Sequence, residues 1–397
     1  MTRVPLPSHL NLMIIAGEPS GDAHASTLVK ALQASARANI EVKVFGATGP
    51  LMRAARVESI VQSDNLAILG LLEIGGALPR FWRAYEALKS AALTRKPDAV
   101  ILVDWPDFNL RIAHALHRRG LKIIYYISPQ LWAWRPHRVR NIKRDVDLLL
   151  AILPFESEWY RSRGVEHVEF VGHPLAGEVR AHYERDEFCK RYQLDPARPI
   201  VSLLPGSRRR EVQRILPPML DAATLISQKD KNVQFVLAIA PSRSAGEIKQ
   251  IIAQRLDAAN LFERVRIIEE ETREALAASD AAAIASGTAT LEAALLRTPM
   301  VIVYKESRVN WHTLGRLITA EHYGLVNLIA GERLVTELMQ NELEGERLAA
   351  EIISLLEPER NQALRIRLKE VTARLGDGGA SLRAARRILE AVAEWKS

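Results

Sequence analysis

The sequence predicts an α/β protein: two doubly wound parallel-sheet domains of Rossmann-like type, followed by terminal helices. Three observations predict it. Short apolar runs of strand length alternate with segments of helical spacing through the first half of the 397 residues. A polar, proline-bounded stretch follows, and the same alternation then restarts. Beyond about Gly345 only helical patterning remains. Strands that alternate with helices pair in parallel, because each crossover helix covers a face of the sheet.

The first strand is Leu12–Ala16, an apolar run ending in Gly17-Glu18-Pro19-Ser20-Gly21-Asp22. It is too short for a signal-peptide core or a membrane span. A helix follows from about Ala23 to Ala36, then a strand at Val42–Gly46. Ala99–Val103 is the third strand, with a helix near Phe108–Arg119. Lys122–Ile127, Leu148–Ile152 and Val168–Val171 close the series and define a first domain at 1–180. Residues 181–199 are charged and proline-bounded and read as a linker. The second domain, 200–360, carries strands at Ile200–Leu204, Val233–Ile239, Val265–Ile268, Ala281–Ala285 and Met300–Tyr304. Helical runs at Leu348–Leu356, Gln362–Leu375 and Ser381–Trp395 complete the chain, with 361–397 as terminal helices. Ligands of such sheets bind beyond the carboxyl ends of the strands. Two such domains place the expected site in a cleft between them.

Lysine and arginine number 54 against 47 acids, a net charge of +7. That balance suits anionic partners: nucleic acid, an acidic lipid surface or phosphorylated substrates. The single cysteine, Cys189, excludes an intramolecular disulfide and a cysteine-based zinc site. It fits a reducing, cytoplasmic compartment. No run approaches ~18 consecutive apolar residues, so no membrane span is expected. No HExxH or clustered His/Asp pattern suggests a metal, the GxGxxG order is missing from Gly17–Asp22, and no cofactor is expected.

Two turns carry the functional signal. Gly206-Ser207-Arg208 follows one apolar run, and Ser286-Gly287-Thr288 follows another. Small residues at a strand-to-helix turn let a ligand approach the backbone, and a helix start offers N–H groups to an anion. With Arg208 beside Gly206-Ser207, a diphosphate pocket is the expectation. Arg209 and Arg210 read as solvated charge. Glu292 lies one helical turn beyond Thr288 and can meet ribose hydroxyls, or be an ordinary exposed helix glutamate. Asp104 ends the run 99–103, where it can be a base or a simple turn former. Asp107 reads as a first-turn acid, and Ser20 and Asp22 as a capped helix start or part of a site loop. The apolar run 69–82 has Phe81 and Trp82 beside Arg80 and Arg83. It is either core or an interfacial patch including Leu71, Leu72, Phe81 and Trp82. The basic, aromatic stretch 132–144 can stack bases or meet lipid.

Eight stretches in register then carry a resemblance. They are AGEPSGD (16–22), DWPDFNL (104–110), YYISPQLWAWR (125–135), LPFE (153–156), VGHP (171–174), LLPGSRRREV (203–212), ASGTATLE (285–292) and NLIAG (327–331). Together they resemble the lipid-A-disaccharide synthases, inverting glycosyltransferases of the GT-B fold. The resemblance implies a donor, UDP-2,3-diacylglucosamine, and an acceptor, 2,3-diacylglucosamine 1-phosphate. The product is a β-1,6-linked disaccharide 1-phosphate, and UDP is released. It implies action at the cytoplasmic face of the inner membrane, on an anionic membrane surface. It also implies nucleotide binding in the second domain, Asn327 in the pocket lining, and C-terminal helices that return to the first domain. Asp104 is then the general base, while Gly206, Ser207, Arg208, Ser286, Gly287, Thr288 and Glu292 hold UDP. Pro19 and Val326 depart from the residues usual in the family, without removing a reactive side chain. Two other readings stand beside it: a UDP-N-acetylglucosamine 2-epimerase-like enzyme, and a basic nucleic-acid-binding protein. The last leaves the two phosphate turns without a use, so nucleic acid is not expected as a partner.

Overall fold

The computed structural model describes residues 9–36, 40–64, 74–255, 263–306 and 322–397, the side chains of 74–78 excepted. The chain divides into two compact units, one of Met1–Pro174 with Leu375–Ser397, the other of Leu175–Arg374.

In the first unit, strands β1 (His9–Ala16), β2 (Glu41–Thr48), β3 (Glu58–Gln62), β4 (Ala99–Val103), β5 (Ile123–Tyr126), β6 (Leu148–Ala151) and β7 (Val168–Phe170) form one parallel sheet. Its order is β3-β2-β1-β4-β5-β6-β7. The helices are α1 (Pro19–Ser35), α2 (Pro50–Ala54), α3 (Ile74–Arg95), α4 (Pro106–His117), α5 (Val139–Asp145) and α6 (Glu156–Arg161). Strand alternation sends Leu12, Ile14, Ile101 and Val103 to one apolar layer, and Met13, Ile15, Val100 and Leu102 to the other. Both faces are therefore buried, which is why the strands read as continuous apolar runs.

The second unit begins with α7 (Arg185–Tyr192), inside the stretch read as a linker; its Phe188 and Cys189 are buried in the second core. Polar composition hid that helix, because only two of its eight residues face inward. Strands β8 (Ile200–Leu204), β9 (Gln234–Ile239), β10 (Val265–Glu269), β11 (Ala281–Ala285), β12 (Met300–Tyr304) and β13 (Glu337–Met339) follow. They are parallel, in the order β10-β9-β8-β11-β12-β13. The helices are α8 (Arg209–Lys229), α9 (Ala245–Ala253), α10 (Thr272–Ala278), α11 (Thr288–Leu295), α12 (Leu325–Ala330), α13 (Gly345–Leu355) and α14 (Pro358–Ala373). The last helix, α15 (Ala380–Lys396), belongs to the first unit. Its Ala384, Ala385, Ile388 and Val392 enter the core layer of Leu28 and Leu32 from α1. Arg383 Nε donates to the Val171 carbonyl at 2.8 Å, and Arg387 Nε to Glu169 Oε1 at 2.8 Å, fixing α15 to the end of β7.

Candidate active site

Both sheets reverse direction of growth beside their first strand: between β1 and β4 in one unit, and between β8 and β11 in the other. A crevice opens at such a point because the flanking helices diverge to opposite faces.

In the first unit the residue following β4 at this point is Asp104. It and Trp105 have φ of 48° and 49°, two successive left-handed conformations without glycine. Such backbone costs of order 1–3 kcal/mol per residue and persists where its surroundings impose it. Those surroundings are visible. Tyr125 Oη donates to the Asp104 carbonyl at 2.6 Å, and Asn109 Nδ2 to the same oxygen at 2.7 Å. Trp105 stacks on Phe108 at 4.1 Å. Gly17, at the end of β1, lies under the indole; a Cβ there would come within 2.0 Å of the ring. Burial pushes the Asp104 carboxyl above its ordinary value, and the nearby Glu18 charge pushes it further, against the Trp105 backbone N–H. The result is a stronger base than a solvated aspartate.

The neighbouring motif residues sort differently. Asp107 is exposed in the first turn of α4 and meets Arg138 Nη1 at 2.6 Å. Ser20 is exposed in the first turn of α1, where Pro19 takes the initial position and needs no N–H partner. Asp22 is buried and faces α2: Oδ1 accepts from Gly49 and Met52 N–H at 3.0 and 3.1 Å, and Oδ2 from Leu51 N–H at 2.8 Å. It caps a helix that starts 28 residues later in the chain than Asp22 itself (Pro50 against Asp22), not its own. Burial keeps His24 and His173 neutral, with His173 pushed down to about 4.

Glu156 is an unforeseen organiser. It is buried, accepts from Ser128 Oγ at 2.8 Å and Trp132 Nε1 at 3.1 Å, and takes the Ile152 and Leu153 N–H groups on its other oxygen. It thereby joins two of the eight motifs, 125–135 and 153–156. A glutamate in a four-residue motif gives no hint of partners 24 and 28 residues away. Of the apolar patch, Phe81 is half-buried near Trp105, at 6.1 Å between ring centres, and Trp82 is 64% exposed. Leu71 and Leu72 lie outside the described residues.

In the second unit the two glycine turns are neighbours, because β8 and β11 pair with Leu204 opposite Ile284. Gly206 has φ 107°, and a Cβ there would meet Glu211 Oε2 at 2.8 Å and Ala285 Cβ at 3.4 Å. Glu211 reaches back to the Arg208 N–H at 3.2 Å and closes the start of α8. The Arg208 side chain is 84% exposed, with Nη1 3.4 Å from Glu211 Oε1. Ser207 is exposed, and its carbonyl accepts from Ser242 Oγ at 3.0 Å. Gly287 and Thr288 are exposed at the start of α11, with open space where a Gly287 Cβ would stand. Ser286 Oγ approaches the Tyr323 carbonyl at 3.5 Å.

Glu292 is held by Arg273, whose Nε and Nη2 lie 3.0 and 2.8 Å from the same oxygen, Oε1. Asn327 is fully buried. Its amide donates to the Val335 carbonyl at 2.9 Å and to Glu337 Oε1 at 2.8 Å, and accepts from Val335 N–H. Glu337 in turn takes the Tyr323 and Gly324 N–H groups. Asn327 thus shapes the loop behind Ser286, with both amide hydrogens spent inside the fold.

Across residues 12–387 the chain matches a family model described as Lipid-A-disaccharide synthetase. A Lipid-A-disaccharide synthase of Geobacter metallireducens is 42% identical over 380 residues, covering 96% of each chain. This chain belongs to the lipid-A-disaccharide synthase family. It is a glycosyltransferase, a hexosyltransferase of lipid A biosynthesis, with the GT-B fold. Solved structures agree on that fold at low identity. The S. aureus MnaA-UDP co-structure has a TM-score of 0.64 at 15% identity, covering 96% of each chain. A UDP-GlcNAc 2-epimerase from Neisseria meningitidis bound to UDP-GlcNAc has a TM-score of 0.60 at 13% identity, covering 96% of this chain and 99% of that one. Among the described residues of this lipid-A-disaccharide synthase family member, no helix is long and apolar enough to cross a membrane.

Proposed function

We propose that this enzyme transfers 2,3-diacylglucosamine from UDP-2,3-diacylglucosamine to the 6-hydroxyl of 2,3-diacylglucosamine 1-phosphate, with inversion. The observation that carries the reading is the pair of switch points: a strained, basic Asp104 at one, and two abutting glycine turns with Arg208 at the other. Asp104 takes the 6-hydroxyl proton as the new O–C1 bond forms, and the bond from C1 to the diphosphate oxygen breaks with its electron pair leaving on UDP. Arg208, Ser207 and the Ser286–Thr288 turn meet the charge that develops on the diphosphate. Glu292, held through Oε1 by Arg273, turns its other oxygen to the ribose. The enzyme works at the cytoplasmic face of the inner membrane, with Phe81 and Trp82 toward the anionic surface. The exposed indole of Trp82 supports that orientation.

The test is mass spectrometry of a reaction holding both acylated substrates in detergent and chelator. An acylated disaccharide 1-phosphate is expected, together with UDP. The 2-epimerase reading shares the fold and needs no lipid acceptor. A manno epimer formed from UDP-N-acetylglucosamine alone, with no disaccharide from the lipid pair, would replace the transferase reading.

A further inference from the structure

A groove of about 1150 Å3 runs along α3, α4 and α5 of the first unit. One wall is an unbroken aromatic path. Trp82 stacks on Tyr85 at 5.8 Å, Tyr85 meets Phe108 edge-on at 6.0 Å, and Phe108 stacks on Trp105 at 4.1 Å. The path begins at an indole 64% exposed and ends at the residue next to the proposed base. Leu110 extends the apolar lining.

Cations border the groove: Lys89 on α3, with its ammonium 5.7 Å from the centre of the Tyr85 ring, and Arg111, Arg138 and Arg144 on and beside α4 and α5. Asp107 and Glu86 sit on Arg138 and Lys89, while Arg144 is held in a two-point pair by Asp145. An aromatic channel beside arranged guanidinium groups matches one kind of ligand: a hydrocarbon chain attached to an anionic head.

We propose that this groove holds an acyl chain of the phosphorylated acceptor sugar, with the chain along Trp82, Tyr85 and Phe108 and the phosphate toward the arginine edge. The acceptor is chosen over the donor because the wall ends beside Asp104, which must reach the acceptor hydroxyl, while the diphosphate turns belong to the other unit. The inference rests on the acyl-sugar reading above. Concavity separates it from simple bilayer contact: a flat lipid surface needs an exposed ridge, whereas Phe108 is buried and Tyr85 half-buried.

The experiment uses the full wild-type chain and an acceptor with a diazirine near the end of one acyl chain. After irradiation, label is expected in the α3 segment around Tyr85 and in the start of α4. Unlabelled acceptor should compete for it, and anionic phospholipid vesicles should not. A companion variant, Tyr85→Ala, should raise the acceptor KM about tenfold, with the donor KM unchanged. Label elsewhere, no label, equal competition by vesicles, or label on a second copy of the chain would each overturn the groove assignment. Disaccharide formation by the same wild-type preparation separates the two claims. If it forms while the label misses the groove, only the groove assignment fails; if none forms, the reaction itself is wrong.

Discussion

A single carboxylate shows how environment raises the proton affinity of a common residue. Asp104 is ordinary in sequence, one acid after five apolar residues. Burial and the Glu18 charge raise its proton affinity, and the left-handed backbone is clamped by Tyr125 and Asn109. On the proposed reading Asp104 is the base and works only when unprotonated, so kcat/KM should fall as pH drops through its raised pKa. Glu18→Gln removes one of the two raising causes. The acidic limb of the pH profile should then move to lower pH, and the plateau should fall modestly because a weaker base removes the proton. A limb that stays in place or moves upward would mean another group titrates there. Position at a strand end was legible in the sequence; the clamp was not, because Tyr125 lies 21 residues beyond Asp104. Glu292 teaches the same lesson: its helical spacing was readable, its ion pair with Arg273 was not.

At the scale of elements, loops in both units are tied down by buried or half-buried acids that accept backbone N–H groups. Asp22, Glu156, Glu211 and Glu337 each do so, and the first three sit inside recognisable motifs. A motif residue can therefore serve by holding its loop rather than by facing a ligand. Asp22 is the clearest test. Removing its carboxylate strands three N–H groups at the start of α2, and hydrogen bonds to a charged group are worth ~1.5–3 kcal/mol each. Asp22→Ala should lower the urea midpoint by an amount equal to about 3 kcal/mol or more, while Asp22→Asn, retaining one oxygen, should lose less. Unchanged stability with a raised acceptor KM would instead make Asp22 a substrate contact. The same distinction explains what the sequence showed of the elements. Strands with two buried faces, such as 99–103 and 281–285, stood out as apolar runs. The edge strands β3 and β13 did not: the first is ESIVQ, polar at both ends, and the second spans three residues. The hydrogen bonds that bury Asn327 were hidden for the same reason, because its partner Glu337 belongs to that short strand.

At the scale of the molecule, two units each have their own core, and the proposed reading divides the chemistry between them. The proposed base and the aromatic groove belong to the unit completed by α15, and the two glycine turns to the other. A ligand that binds one folded unit stabilises that unit by mass action, by about 2.7 kcal/mol at a hundredfold excess over Kd. UDP alone touches, on the proposed reading, only the unit of Leu175–Arg374. Calorimetry with UDP should therefore raise the unfolding temperature of that unit, read through a probe confined to it such as hydrogen exchange of the β8 and β11 amides. Arg208→Ala should abolish most of the shift, since its exposed guanidinium is free to close on a diphosphate and contributes little to the fold itself. Asp104→Asn should retain the full shift while turnover is lost. The two variants thus dissociate binding from chemistry in opposite directions. A UDP shift lost in Asp104→Asn, or kept intact in Arg208→Ala, would show that the donor is not held where the glycine turns meet.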